Sequence, residues 1–207
     1  MVKKLQALKA KKGFTLVELI VVIAIIAVLA AILVPTMLGY VTSSRVTSAN
    51  STASQIKDSI NNWITDMDTK GYSTLKTAGA SGAAQAQLDV KISSGTWTIT
   101  TPPTAAVWGT GSAASLTGPT SATNSNVWGY LEEQMQNDYS FTNASFTAYF
   151  NEGKVHSVVY SASDTMPTGI PDYDAFTSGT FTWGSQDGIL TTGEIVGTSP
   201  QLTTALS

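Results

Sequence analysis

Between Phe14 and Val34 the chain runs for 21 residues in which only Thr15 and Glu18 are clearly polar. As a helix such a run is roughly 30 Å long, about the thickness of a bilayer's hydrocarbon core. A stretch this apolar must lie in lipid or against other protein, and in lipid only a helix satisfies its own backbone. Glu18 sits inside it. A carboxylate is costly in hydrocarbon and by default marks a functional position, so it needs a partner. The run closes at Val34-Pro35, where proline removes a backbone donor.

Charge gives the run a direction. Lys3, Lys4, Lys9, Lys11 and Lys12 precede it, leaving six basic against fourteen acidic residues beyond Gly13, a net of −8. A cationic head before an apolar span stays cytoplasmic while the remainder is exported. The acidic remainder is a poor partner for nucleic acid, whose binding needs neutralised phosphates. A secretory signal peptide would have a shorter apolar region followed by a small-residue cleavage site. A plain membrane anchor explains the length and the lysines but gives Glu18 no purpose. Cysteine is absent, so there is no disulfide framework, thiol nucleophile or zinc-thiolate site.

Residues 13–35, GFTLVELIVVIAIIAVLAAILVP, resemble the prepilin signal and N-terminal helix of type IV pilins and their pseudopilin relatives. The resemblance rests on Gly13, on Phe14 after it, on Glu18 four residues further, and on Pro35. It implies an α+β pilin fold, with a long N-terminal α-helix and an antiparallel β-sheet head packed on its C-terminal half. It also implies a prepilin peptidase that cuts between Gly13 and Phe14 and methylates the new amine of Phe14. Glu18 of an incoming subunit would pair with the Phe14 amine of a neighbour. Each buried charge is costly alone, and pairing makes both tolerable and fixes the register. The implied partners are copies of the same chain in a helical homopolymer, the peptidase, inner-membrane assembly machinery, and the membrane before assembly. The implied location is the cytoplasmic membrane for the precursor and a cell-surface filament afterwards. One position departs: a glycine is frequent thirteen residues after the cleaved phenylalanine, and here Ala27 stands there. Alanine favours helix, so local unwinding in a filament is expected nearer Pro35 and Gly39. Without cysteine the C-terminal disulfide of many Gram-negative pilins cannot form, which favours a Gram-positive-type pilin or a pseudopilin.

The expected organisation is a cleaved leader at 1–13, a hydrophobic transmembrane or filament-core helix at 14–35, an amphipathic continuation at 36–70, and a globular β-rich head at 71–207. After Pro35, Leu38, Val41, Arg45, Ala49, Ala53, Ile56, Ile60, Trp63 and Met67 recur at steps of three or four, a narrow stripe with one polar intruder. Lys70 and Gly71 suit its end. Two separate helices hinged at Pro35 are the alternative. Residues 71–126 hold Ala-, Gly- and Ser-rich tracts, and the resemblance implies that they are the variable loop connecting helix and sheet. Within it Leu88–Ile92 and Thr96–Thr100 alternate around Ser93-Ser94-Gly95 as a β-hairpin. Asn124 or Ser125 would cap a helix through Val127, Tyr130, Leu131 and Met135. Ser145–Phe150 and Lys154–Tyr160 around Asn151-Glu152-Gly153 give the central hairpin. Thr180–Trp183 is expected as a further strand, with Ile189-Leu190 and Ile195-Val196 closing the sheet or packing beneath it.

Few residues outside the N-terminus suggest chemistry. His156 is the single histidine and lies mid-strand in an apolar hairpin, which suits a structural or surface strand residue. With no cysteine it cannot complete a zinc site. No convergent catalytic set is visible, so an enzyme is not expected. Asp164, Asp172, Asp174 and Asp187 lie on loops of a kind that can hold calcium, without EF-hand spacing, and no other cofactor is suggested. Trp97, Trp108, Trp128 and Trp183 with Tyr173 would make a sugar-binding platform if exposed, and core if not. Asn50-Ser51-Thr52 and Asn143-Ala144-Ser145 match the glycosylation sequon, a match of little weight in a pilin-like chain. The expectation is a structural filament subunit serving adhesion or motility. The alternatives are a pseudopilin of a type II secretion system and a minor tip pilin with an adhesive head.

Overall fold

The computed structural model describes residues 14–69, 86–101, 125–151 and 153–204. The chain divides into two compact units, Met1–Ser43 and Ser44–Ser207. Helix α1, Leu16–Thr69, contributes to both.

In the first unit α1 carries a nearly unbroken apolar sequence whose backbone groups bond within the helix. Pro35 lies inside the helix, which is continuous through it, so the two-helix alternative is not realised. Thr36 and Thr42 donate their hydroxyls to the carbonyls of Leu33 and Leu38, both at 2.9 Å, the back-bonding expected of hydroxyl side chains in a helix.

The second unit is a sheet packed on the remainder of α1. The five antiparallel strands, in the order β2-β1-β3-β4-β6, are β1 Ala86–Ser93, β2 Thr96–Thr101, β3 Ala144–Asn151, β4 Lys154–Ser161 and β6 Gly197–Ser199. The expected hairpins are both present, and β3 is the middle strand. Helix α2, Ser125–Asp138, also forms as its apolar spacing predicts. Period-two alternation sends Leu88, Val90 and Ile92 of β1 and Phe146, Ala148 and Phe150 of β3 toward α1. They bury Ile56, Ile60, Trp63 and Met67 of α1 together with Leu131 and Met135 of α2. The stripe on α1 departs from expectation at its start: Leu38, Val41 and Arg45 are all exposed, and the buried row begins at Val46. Counting back from Ala49, the buried row steps by three rather than four, and Arg45 stays in water.

Close approach of α1 to β6 requires glycine. A Cβ at Gly197 would collide with the Ala49 carbonyl. Two asparagines on α1 reach across as backbone acceptors: Asn50 Oδ1 takes the Thr198 N–H at 2.8 Å and Asn61 Oδ1 takes the Val155 N–H at 3.0 Å. The opposite face of the sheet carries a second apolar cluster, with Tyr149 and Val159 against Phe176, Trp183, Leu190, Val196 and Leu202. Helix α3, Tyr173–Ser178, is capped by Asp172 and ended by Gly179 at φ 75°.

The C-terminal strand expectation is corrected. Only Thr180–Phe181 (β5) is extended, and it pairs in parallel with Thr203–Thr204 (β7), outside the main sheet. Trp183 instead turns inward and donates its indole N–H to the Leu202 carbonyl at 3.2 Å. Ile189 bridges Ile195 without extending the sheet; Leu190 and Val196 belong to the second cluster, Ile195 packs against the first, and the closing strand is β6, just beyond.

Candidate functional site

Thr15 and Glu18 shape the start of α1. Glu18 Oε2 accepts from the Thr15 backbone N–H at 2.9 Å and from its hydroxyl at 2.7 Å, while the Glu18 N–H is donated to Thr15 Oγ1 at 3.2 Å. This reciprocal arrangement is a capping box, in which threonine precedes the helix and glutamate occupies its third position. It satisfies two backbone donors that the helix start would otherwise leave open. The acidic group also lies at the positive end of the helix dipole. The Thr-x-x-Glu spacing was readable in the sequence, and the role of Thr15 was the part not read there.

Around this cap the surface is apolar. Phe14 is 81% exposed, and every exposed large hydrophobic residue among the described residues lies between Phe14 and Val41. The helix contains an 18-residue window of mean hydropathy 3.3, long and apolar enough to cross a membrane. The arrangement is thus a polar box at the head of an uncovered apolar cylinder. Pro35 sits further along this same helix. Gly13, on the far side of the expected cut, lies outside the described residues.

The remaining candidate residues have local duties. Asp172 caps α3 through the Ala175 N–H at 2.9 Å. Asp164 accepts from Ser93 at 3.0 Å, and Asp187 accepts from the Thr204 backbone N–H at 2.9 Å and from its hydroxyl. Asp174 lies in the first turn of α3. Among the described residues no three His, Cys, Asp or Glu side chains converge to hold a metal, so the four aspartates do not form one cluster. Trp97 and Trp183 are buried in different clusters and make no common platform; Trp108 lies outside the described residues. Tyr173 packs instead on His156, ring centres 4.8 Å apart. His156 is the extra residue of a β-bulge, between the pairs Tyr149–Ser157 and Phe150–Val155. Its Nδ1 is buried without a hydrogen-bond partner among the described residues. Burial, and then the nearby Lys57 ammonium, hold its pKa below the ordinary histidine value. Both sequon asparagines are occupied as backbone acceptors, Asn50 from Thr198 and Asn143 from the Ser94 N–H at 3.0 Å.

Comparison with known families places the prokaryotic N-terminal methylation motif on residues 8–34, the signal found on type IV pilins and pseudopilins. No curated protein and no solved structure matches the chain.

Proposed function

From a chain that carries the N-terminal methylation signal of type IV pilins and pseudopilins, we propose a structural subunit of a type IV pilus-like extracellular filament. The motif supports a pilin- or pseudopilin-like substrate of prepilin peptidase, and the pilin-like α+β architecture accords with it. The chemistry of the motif is done to this chain: the peptidase cuts between Gly13 and Phe14 and methylates the Phe14 amine. The subunit then waits in the cytoplasmic membrane with residues 14–35 in lipid, and leaves it by exchanging lipid for neighbouring helices. The amphipathic half of the helix, 36–70, and the β-rich head form the outer wall.

One observation carries this reading: the exposed large hydrophobic surface of the described residues is confined to Phe14–Val41, most of it within the motif itself. Such a surface needs a hydrocarbon or protein cover. In a subunit whose Phe14 amine has been released, Glu18 gains a cationic partner from a neighbour, which fixes the axial register. Ala27 favours helix at its position, so filament unwinding is placed nearer Pro35 and Gly39.

N-terminal mass spectrometry of sheared filaments tests the processing: the chain should begin at methylated Phe14, and one beginning at Met1 refutes it. Electron microscopy of cells lacking the protein tests the class. Loss of long filaments identifies a major pilin, and unchanged filaments point to a pseudopilin or a minor tip subunit.

A further inference from the structure

The second unit holds a groove that neither the fold nor the assembly reading uses. It encloses about 380 Å³ on the sheet face turned away from α1. Its floor follows from strand alternation: while Leu88, Val90 and Ile92 enter the core, Asp89 and Lys91 of β1 and Thr147 of β3 face the other way. The second apolar cluster covers that face around Tyr149 and Val159. Over Asp89 and Lys91 the chain passes at a distance and leaves a wall formed by Met166, Pro167 and Ile170.

The polar groups on this floor are fixed before any ligand arrives. Asp89 Oδ1 accepts from Thr147 Oγ1 at 2.7 Å and from Gln87 Nε2 at 2.8 Å. Thr147 is itself 2% exposed and sits on the central strand, so the carboxylate is anchored to the middle of the sheet. Asp164 is held across the groove by Ser93 Oγ at 3.0 Å. Lys91 lies between Asp89 and Ser93 on the same face of β1. The floor therefore alternates acceptor, donor and acceptor, opposite an aliphatic wall. Rigid polar groups on strands opposite apolar surface are what orient a small ligand.

The charge order narrows the ligand. An anion would meet two carboxylates for one ammonium, and a cation would meet Lys91 at the centre. No three acidic or imidazole groups converge here to hold a metal among the described residues. A neutral polyol fits both surfaces, since its hydroxyls donate to the carboxylates and accept from the ammonium while its C–H face lies on the aliphatic wall. We propose that this groove is a binding site for a neutral saccharide of one or two rings. The site is independent of the assembly reading, because all of its residues belong to the unit Ser44–Ser207.

Saturation-transfer NMR tests it on the full chain, solubilised in a phosphocholine detergent so that no glycoside competes. The probes are glucose, galactose, mannose, N-acetylglucosamine and their 1,4-linked dimers, with glucosamine and glucuronate as charged counterparts. Transfer to at least one neutral probe is expected, strongest at ring C–H protons. Lys91→Ala should weaken binding about tenfold, the size expected for losing a charge-assisted hydrogen bond. Thr165→Trp, at an exposed rim position, should abolish it by filling the groove. Each variant is read only where its unfolding midpoint matches the parent, and Lys91→Ala decides if Thr165→Trp does not fold. No transfer to any neutral probe, transfer unchanged in the folded variants, or transfer confined to the charged probes overturns the assignment.

Discussion

Ile20, Ile26 and Leu29 in the first unit are 50%, 57% and 53% exposed, whereas Ile56 and Ile60 further along the same helix are at 0%. The residue type and the secondary structure are shared, so the difference lies in what the fold supplies as cover. The second unit covers its own part of α1 with a sheet and with α2. Among its described residues the first unit supplies no such cover, and in the proposed function lipid or other copies provide it. Substitutions in the second unit should therefore act on folding, and substitutions in the first on membrane residence and assembly. All five tryptophans lie beyond Ser43, so indole fluorescence of the full chain in detergent follows the second unit alone.

The largest expected effect is at the centre of the sheet. Phe146 is fully buried between β1 and β4, and Phe146→Ala should cost about 3–5 kcal/mol in denaturant unfolding by leaving a cavity. Leu29→Ala, 53% exposed in the first unit, should leave the same transition unchanged. A comparable loss from both would break the division between the units. Next comes the crossing of α1 and β6. Gly197→Ala drives a methyl into the Ala49 carbonyl and should cost about 1–3 kcal/mol, as overpacking does. A neutral result would mean that β6 can shift away from the helix. Asn61→Ala should cost about 1–2 kcal/mol by stranding the Val155 N–H, and Asn61→Asp, which keeps an acceptor oxygen, should recover part of it.

A smaller effect is expected from His156. Its pKa is held below the ordinary histidine value by burial and by Lys57, so the unfolded chain binds its proton more readily than the folded one. The side chain's contribution is therefore present at neutral pH and declines as pH falls through the ordinary histidine range. The groups facing it are Lys57 from α1 and Tyr173 from α3. Unfolding midpoints at pH 7.5 and 5.5 should differ more in the parent than in His156→Asn, and equal differences would remove the histidine from the account.

Where the sequence was legible, one local period decided the structure. Alternation in Leu88–Ile92 and Ser145–Phe150 marked strands, and steps of three and four from Ala49 to Met67 marked the buried row on α1. At Arg45 the same rule offered two neighbouring positions, and the cost of burying a charge chose Val46. The C-terminal quarter was less readable because its organisation depends on bonds between distant residues. Thr198 is placed by Asn50 and Trp183 by Leu202, and a three-residue strand containing Gly197 has no period of its own. At the N-terminus, Glu18 was conspicuous because a carboxylate in an apolar run is expensive, whereas a hydroxyl such as that of Thr15 costs far less there and does not by itself mark a role. The groove was invisible, since it exists only where the segment after β4 leaves part of one sheet face open.

The smallest expected change in the fluorescence transition belongs to Glu18, which lies in the first unit. Two explanations for this carboxylate make different demands. As a member of the capping box it needs only an acceptor at the third helical position, which glutamine also supplies. As the partner of a neighbour's Phe14 amine it needs negative charge. Glu18→Gln separates the two, because it keeps the cap and removes the charge. Mass spectrometry should find the chain still cut and methylated at Phe14, and fluorescence should report an unchanged second unit. Filament yield should fall as far as it does in Glu18→Ala. If glutamine restores filaments where alanine does not, the side chain serves as a helix cap, and the charge-pairing account of assembly is wrong.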